Sequence, residues 1–344
     1  MRESSWWEGD GIMSRGVCEV WTYEGMSEAE LLAVCIQKNA DKGVAAKQFG
    51  ISEMYSQGKI FREYSGFPSW LPLNICADHG AGDVEVLRSE LENDAYAMFS
   101  FGSEKCIAYR TVSEKPCFRV MHPFVWYRRN NGIAQEADAR GTIAFPAHSL
   151  ADVQCDYQIE QYIKALKALP AHMQPVCVCL FTIDVLQGAY KAFIEQGIPV
   201  YTAGNISDVR FVDRYYNIIR HFKYATSNAP GSCLFYSVEM GLPFSIYGGD
   251  VTFVNYGNSD VPLGKLNEFE YEKRCNAYFS GINTEITVQQ RDYVLNYFFG
   301  GETPISPREM RKILFAAWFR RDKKLQDVIK GLRRLFKRIF LRNR

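Results

Sequence analysis

The sequence predicts an α/β fold: parallel sheets covered by helices, divided into two domains that face a cleft and followed by a basic amphipathic helix. Three observations predict it. Short apolar runs of strand length alternate with helix-period segments along most of the chain, the pattern that strand-helix-strand units produce. A polar stretch without apolar period, 128–140, separates two sets of these units. Basic residues concentrate at the end of the chain, where 320–344 hold 11 Lys/Arg against 2 Asp.

In chain order, strands are predicted over 70–77, 95–101, 117–121, 142–146, 176–183, 199–202 and 245–247. Helices are predicted between them, over 84–93, 104–111, 156–169, 187–196, 209–222 and 231–240. The polar stretch divides the chain into a first domain at 1–135 and a second at 141–305, leaving 306–344 as a helical tail. Two such domains meeting at a linker form a cleft outside the carboxyl ends of their strands, so function is expected in the turns that follow strands.

Composition sets the limits of this reading. With 344 residues, 47% hydrophobic and a net charge of +1, the chain is neither disordered nor collagen-like. No run of 18 uninterrupted apolar residues occurs, and 1–10 lack a basic flank followed by an apolar stretch; a cytoplasmic protein is expected. The ten cysteines sit in apolar runs such as Pro175-Val-Cys-Val-Cys-Leu180, where they read as reduced core thiols. The CxC at Cys177 and Cys179 has no second pair at zinc-ligand spacing, and alternate strand residues point to opposite faces, so no metal site is expected.

The tail carries a net of +9, which leaves −8 for residues 1–319. Leu325, Val328, Ile329, Leu332, Leu335, Phe336, Ile339 and Phe340 follow helical spacing, with Lys and Arg between them. Such a helix lies on an anionic membrane, each basic residue near the surface adding about 1 kcal/mol. The alternative is a terminal helix whose stripe packs on the protein's own core. No basic patch interleaved with aromatics appears elsewhere, so nucleic acid is not an expected partner.

Three post-strand segments hold chemistry. In Asp78-His-Gly-Ala-Gly-Asp83 a carboxylate, an imidazole and two glycines place titratable groups where a substrate can approach the backbone; the other reading is a turn whose Asp caps the next helix. In Phe145-Pro-Ala-His-Ser149, His148 and Ser149 can donate to a phosphate or a sugar hydroxyl; the other reading is an ordinary loop histidine. In Thr226-Ser-Asn-Ala-Pro-Gly-Ser232, small residues precede a helix whose free N–H groups suit a phosphate. Glu239, two turns along that helix, reaches a ribose if that face borders the cleft; the other reading is a capped helix with an exposed Glu. His122, before Pro123, reads as structural. There is no GxxxxGK[ST], GxGxxG, GxSxG or Asp-x-Asp, which disfavours P-loop, dinucleotide-binding, serine-hydrolase and Asp-x-Asp metal chemistry.

Taken together, Asp78-His-Gly80, Met121-His-Pro-Phe-Val-Trp-Tyr-Arg128, Gly141-Thr-Ile-Ala-Phe-Pro-Ala-His-Ser149 and the 227–248 block resemble bacterial surface-polysaccharide glycosyltransferases of capsule and lipopolysaccharide assembly, which have the GT-B fold of two Rossmann-like domains. The resemblance spans about 65–250. It implies that the second domain binds a nucleotide sugar and that the first presents a base, Asp78 or His79, to a glycan or lipid-linked acceptor. It further implies that His148 and Ser149 face the donor, and that Ser227, Gly231, Ser232 and Glu239 contact phosphate and ribose. The 226–248 block is also similar to Kdo transferases, which use a CMP-activated sugar, and to the glycerophosphotransferases of teichoic acid synthesis. Asp78-His79-Gly80 departs from the sialyltransferase pattern, which has two acids before the glycine. Neither a metal nor a resident cofactor is implied, and the tail would hold the enzyme peripherally on the inner face of the cytoplasmic membrane.

Overall fold

The structure is a computed structural model describing residues 21–36, 50–82, 84–149, 153–257 and 270–321. Near-continuous apolar runs become parallel strands buried on both faces, as the sequence leads one to expect. Strands β1 (Ile75–Ala77), β2 (Ala97–Ser100) and β3 (Cys117–Arg119) form one parallel sheet in that order. The chain continues with β4 (Thr142–Ala144), β5 (Val153–Asp156), β6 (Val176–Cys179), β7 (Val200–Tyr201), β8 (Tyr224–Ser227), β9 (Phe244–Ile246) and β10 (Thr252–Asn255). Five of these make a second parallel sheet, ordered β7-β6-β4-β8-β9, while β5 and β10 pair antiparallel. The order grows outward from β4 through β6 to β7 and then resumes on the other side at β8. The switch point therefore lies between β4 and β8, where open α/β sheets bind ligands.

Except for β9, which keeps its length one residue earlier, the observed strands are shorter than the predicted runs, with Pro72 keeping 70–74 out of β1. β8 was not expected, because Thr226 and Ser227 read as loop. Inside the sheet the Thr226 hydroxyl is satisfied by the Ser245 carbonyl at 2.9 Å, so a small polar residue sits at the centre without penalty. The polar stretch at 128–140 begins as the last turn of the Pro123–Asn130 helix. Proline holds the first position of that helix, and His122 Nδ1 caps it by accepting the Phe124 N–H at 3.2 Å.

Packing does not follow the linear division at 1–135, 141–305 and 306–344. The Glu28–Ile36 helix buries Leu31 and Cys35 with Val178, Val185 and Val200 of the five-stranded sheet's core. The Pro307–Arg321 helix runs the other way, burying Met310, Leu314 and Ala317 with Phe61, Phe67 and Phe99 of the three-stranded sheet's core. The start of the expected tail is thus a core helix with an i, i+4, i+7 stripe. The amphipathic stretch from Leu325 to Arg342 lies outside the described residues. Among the described residues no helix is long and apolar enough to cross a membrane. Of the described cysteines all are free, and most are buried.

Candidate functional site

A cavity of about 460 Å³ opens at the carboxyl ends of both parallel sheets. Its wall is made by the turns after β1 (His79 to Ala81), β4 (Phe145 to His148), β6 (Leu180 to Thr182), β7 (Thr202 to Gly204) and β8 (Ser227 to Ser232). Parallel strands present their carboxyl ends on one edge, so residues distant in sequence converge there. His79, His148, Ser227, Gly231 and Ser232 line this cavity together; Asp78, Ser149 and Glu239 do not.

The reasons are specific. Asp78 is fully buried, with Oδ2 accepting from Ser100 Oγ at 2.9 Å and from the Phe101 N–H at 2.5 Å. Its Oδ1 lies 3.2 Å from Lys105 Nζ, and Lys105 also meets Glu90 Oε1 at 2.8 Å. All three charges are out of water. Burial raises the Glu90 carboxyl to about 7, against the pull of Lys105 and with the push of Asp78. Asp78 is held as an anchor behind the cavity wall. Glu239 is likewise taken: Arg128 grips it through Nε and Nη2, each at 2.7 Å, and Arg129 Nε adds a third contact at 2.8 Å. That clamp ties the Ser232–Met240 helix to the Pro123–Asn130 helix and leaves no carboxylate for a ribose. Ser149 turns to Asp184 and Cys155: its N–H donates to Asp184 Oδ1 at 3.3 Å and its Oγ accepts the Cys155 N–H at 3.2 Å.

His79 is exposed, and the turn that carries it is fixed on every side. Gln57 Nε2 donates to the carbonyls of Asp78 and His79, both at 3.3 Å. Two residues on, Ala81 exchanges hydrogen bonds with the Ser232 hydroxyl, which accepts its N–H at 2.9 Å and donates to its carbonyl at 3.2 Å. A Cβ on Gly80 would sit 2.2 Å from Ser232 Oγ, which is why glycine is needed there. The Ser232 hydroxyl is thereby spent on the loop. What it offers a ligand is its N–H in the first turn of the Ser232–Met240 helix, whose cap residue Gly231 makes no side-chain cap bond.

His148 stacks on Phe181 with centroids 4.1 Å apart, and its Nδ1 lies 3.2 Å from the Ser149 carbonyl. A carbonyl only accepts, so Nδ1 carries the proton and Nε2 is left as an acceptor. Burial pushes this imidazole down to about 4; the Ser149 carbonyl pulls it up, and nearby His79 adds to the fall. It is neutral at pH 7 and suits a ligand hydroxyl better than a phosphate. The turn holding it is fixed by Ala147 N–H donating to Asn228 Oδ1 at 2.7 Å.

Sequence reasoning missed the residues that come from elsewhere. Tyr55 and Ser56 have φ of 55° and 62°, left-handed values that are costly for side-chain-bearing residues. The Tyr55 N–H donates to the Ile206 carbonyl at 2.7 Å, and the Tyr55 ring packs edge-on to His79 with centroids 5.7 Å apart. Tyr215 and Glu272 also line the cavity. Burial lifts the Glu272 carboxyl to about 7; a hydrogen bond from Tyr271 opposes the rise and Glu85 adds to it. No motif marks these positions; only the tertiary fold brings them in.

Fold and site together define an α/β protein with a crevice at the switch point of a parallel sheet. No family model and no curated protein matches the chain. Among solved structures the chain is similar to the wall teichoic acid polymerase TagF: to a variant soaked with CDPG, at 9% identity and a TM-score of 0.36 over 72% of this chain and 67% of that one. A second TagF structure is similar at 10% identity and a TM-score of 0.30, over 74% of this chain and 62% of that one.

Proposed function

We propose that the chain is a metal-independent glycosyltransferase that moves a sugar from a nucleotide-activated donor to a surface polysaccharide or lipid-linked glycan. The observation that carries this reading is the convergence in one cavity of the Gly231–Ser232 helix start, the neutral His148 and the exposed His79. In this reading 50–130 with the Pro307–Arg321 helix form the acceptor side. The described residues of 21–36 and 142–299 form the donor side.

The donor phosphate sits on the N-terminus of the Ser232–Met240 helix. When the nucleotide departs, negative charge grows on that phosphate, and fixed N–H dipoles stabilise the transition state more than the ground state. His148 Nε2 accepts a hydroxyl of the donor. His79 takes the proton from the acceptor hydroxyl, a role worth roughly 10² to 10⁴ in rate. Residues 322–344 hold the enzyme at an anionic membrane surface, where a lipid-linked acceptor is concentrated.

The test is a thermal-shift panel of CMP, CDP, UDP, GDP and ADP, each with and without EDTA, because a ligand binding only the folded state raises its stability by mass action. A shift by one nucleotide that survives EDTA supports the reading, and silence across the panel overturns it. Turnover of the matching nucleotide sugar, set against CDP-glycerol, separates sugar transfer from glycerophosphate transfer.

A further inference from the structure

Among the described residues, three cavity-lining side chains hold polar atoms that meet no protein partner: Glu272 Oε2, Tyr215 Oη and Gln57 Oε1. Their residues are 8%, 6% and 1% exposed. A buried polar atom left unpaired bears its full desolvation cost, and here three of them fall on one cavity from three separate elements. Gln57 opens the Gln57–Ser65 helix, Tyr215 lies in the Phe211–Ile219 helix and Glu272 in the Glu270–Phe279 helix. Gln57 spends its amide nitrogen on the His79 turn, so only its acceptor remains. Tyr215 brings a hydroxyl that donates or accepts. Glu272 accepts when ionised and donates when protonated. The same cavity is also lined by aromatic side chains, Phe124, Phe145 and Tyr236 among them. An apolar wall with a few convergent, neutral or acidic hydrogen-bonding groups suits the hydroxyls and ring carbons of a polyol, not a second phosphate.

We propose that Glu272, Tyr215 and Gln57 form a hydroxyl-recognition wall that binds the polyhydroxylated group carried by the donor nucleotide, with Glu272 as its specificity-determining residue. This rests on the reading of the cavity as a nucleotide-sugar site and adds to it the residues that read the transferred group. Binding satisfies atoms that folding leaves unpaired, so the discrimination falls on the hydroxyls rather than on the nucleotide.

The experiment compares each nucleotide with its loaded form on the full chain: UDP with UDP-glucose, CDP with CDP-glycerol, and CMP with CMP-N-acetylneuraminate. Calorimetric affinities are measured for the native protein, Glu272→Ala, Glu272→Gln and Gln57→Ala. The expected result is that one loaded form binds the native protein about tenfold tighter than its bare nucleotide, the worth of one well-made hydrogen bond. Glu272→Ala erases that difference and leaves bare-nucleotide affinity unchanged. Should the alanine variant fold poorly, Glu272→Gln, which keeps the shape and removes the titration, is expected to alter the preference among the three loaded forms. Equal weakening of bare and loaded forms would assign Glu272 to the scaffold and overturn the proposal. So would unchanged preference in both Glu272 variants. If a bare nucleotide binds but no loaded form gains, this wall is wrong while the nucleotide site stands. If nothing binds the native protein, both fall together.

Discussion

Replacing Asp78 and His79 by alanine separates scaffold from chemistry at neighbouring positions of the same turn. Asp78 is one of two acids on a Lys105 that has no exposure, and it also receives Ser100 Oγ and the Phe101 N–H. Removing one partner of a buried charge costs about 3–5 kcal/mol, because the remaining charge loses its compensation. Against a total stability of about 5–15 kcal/mol, Asp78→Ala should unfold at much lower denaturant and lower the melting temperature on the order of 5–15 °C. His79 is exposed, so His79→Ala should change stability by about 0.5 kcal/mol or less. Its turnover should fall roughly 10² to 10⁴-fold if it takes the acceptor proton. Paired chemical denaturation and nucleotide-release assays read both quantities. A stable but inactive Asp78→Ala beside a fully active His79→Ala would refute the reasoning and make Asp78 the base.

Other outcomes follow from the same geometry. Glu272 is raised from 4.5 to about 7, so the folded state binds its proton more tightly and stability is lost as pH rises between those values. Glu272→Gln should therefore gain on the order of 2–3 kcal/mol relative to the native protein at pH 8 and much less at pH 5, as measured by urea titration. His148 is shifted the other way, to about 4, so its contribution is complete above 6.5 and is lost as pH falls from there to 4; His148→Gln should flatten that acid limb. Leu314→Ala should cost about 2–5 kcal/mol, since Leu314 is 1% exposed in the core of the three-stranded sheet. A chain ending at Arg321 keeps that helix whole and should fold as the full chain does while losing sedimentation with anionic vesicles; retained sedimentation would remove the membrane role from 322–344.

The parts of the fold legible in the sequence are those where burial imposes apolarity. Val176–Cys179 and Ala97–Ser100 are recognisable because both faces of a parallel strand are covered. Tyr224–Ser227 was not, because a hydroxyl paired inside the sheet looks like a loop residue when its partner is unknown. The same limit governs the site. His79, His148, Ser227, Gly231 and Ser232 line the cavity, as expected from the rule that ligands bind at post-strand turns, which depends only on local order. Asp78, Ser149 and Glu239 met every local criterion as well. What removed them was a distant partner: Lys105 on a following helix, Asp184 after β6, and Arg128 with Arg129 across the core. A charged residue beside a cavity and one buried against an opposite charge have the same sequence signature.

The fate of those charges explains how the turn after β1 is held. Its backbone carbonyls are read by Gln57, its carboxylate by Ser100, Phe101 and Lys105, and its far end by Ser232. Gln57 itself follows Tyr55 and Ser56, whose left-handed conformations persist because Ser56 Oγ donates to the Val209 carbonyl at 3.0 Å and accepts the Val212 N–H at 3.1 Å. Elements of both sheets thus converge on one turn, and among its described residues the exposed side chain is the His79 imidazole. Fixing a base before substrate arrives removes orientational entropy from the reaction step. Loosening any one tether should therefore lower turnover without changing which group reacts. Gly80→Ala is the sharpest case, because its Cβ would meet Ser232 Oγ at 2.2 Å and push the Ala81 clasp open. Its expected signature is a fall in kcat with bare-nucleotide affinity kept. A loss of nucleotide binding equal to the loss of turnover would instead mean that the clasp serves the helix N-terminus, and that His79 needs no such fixing.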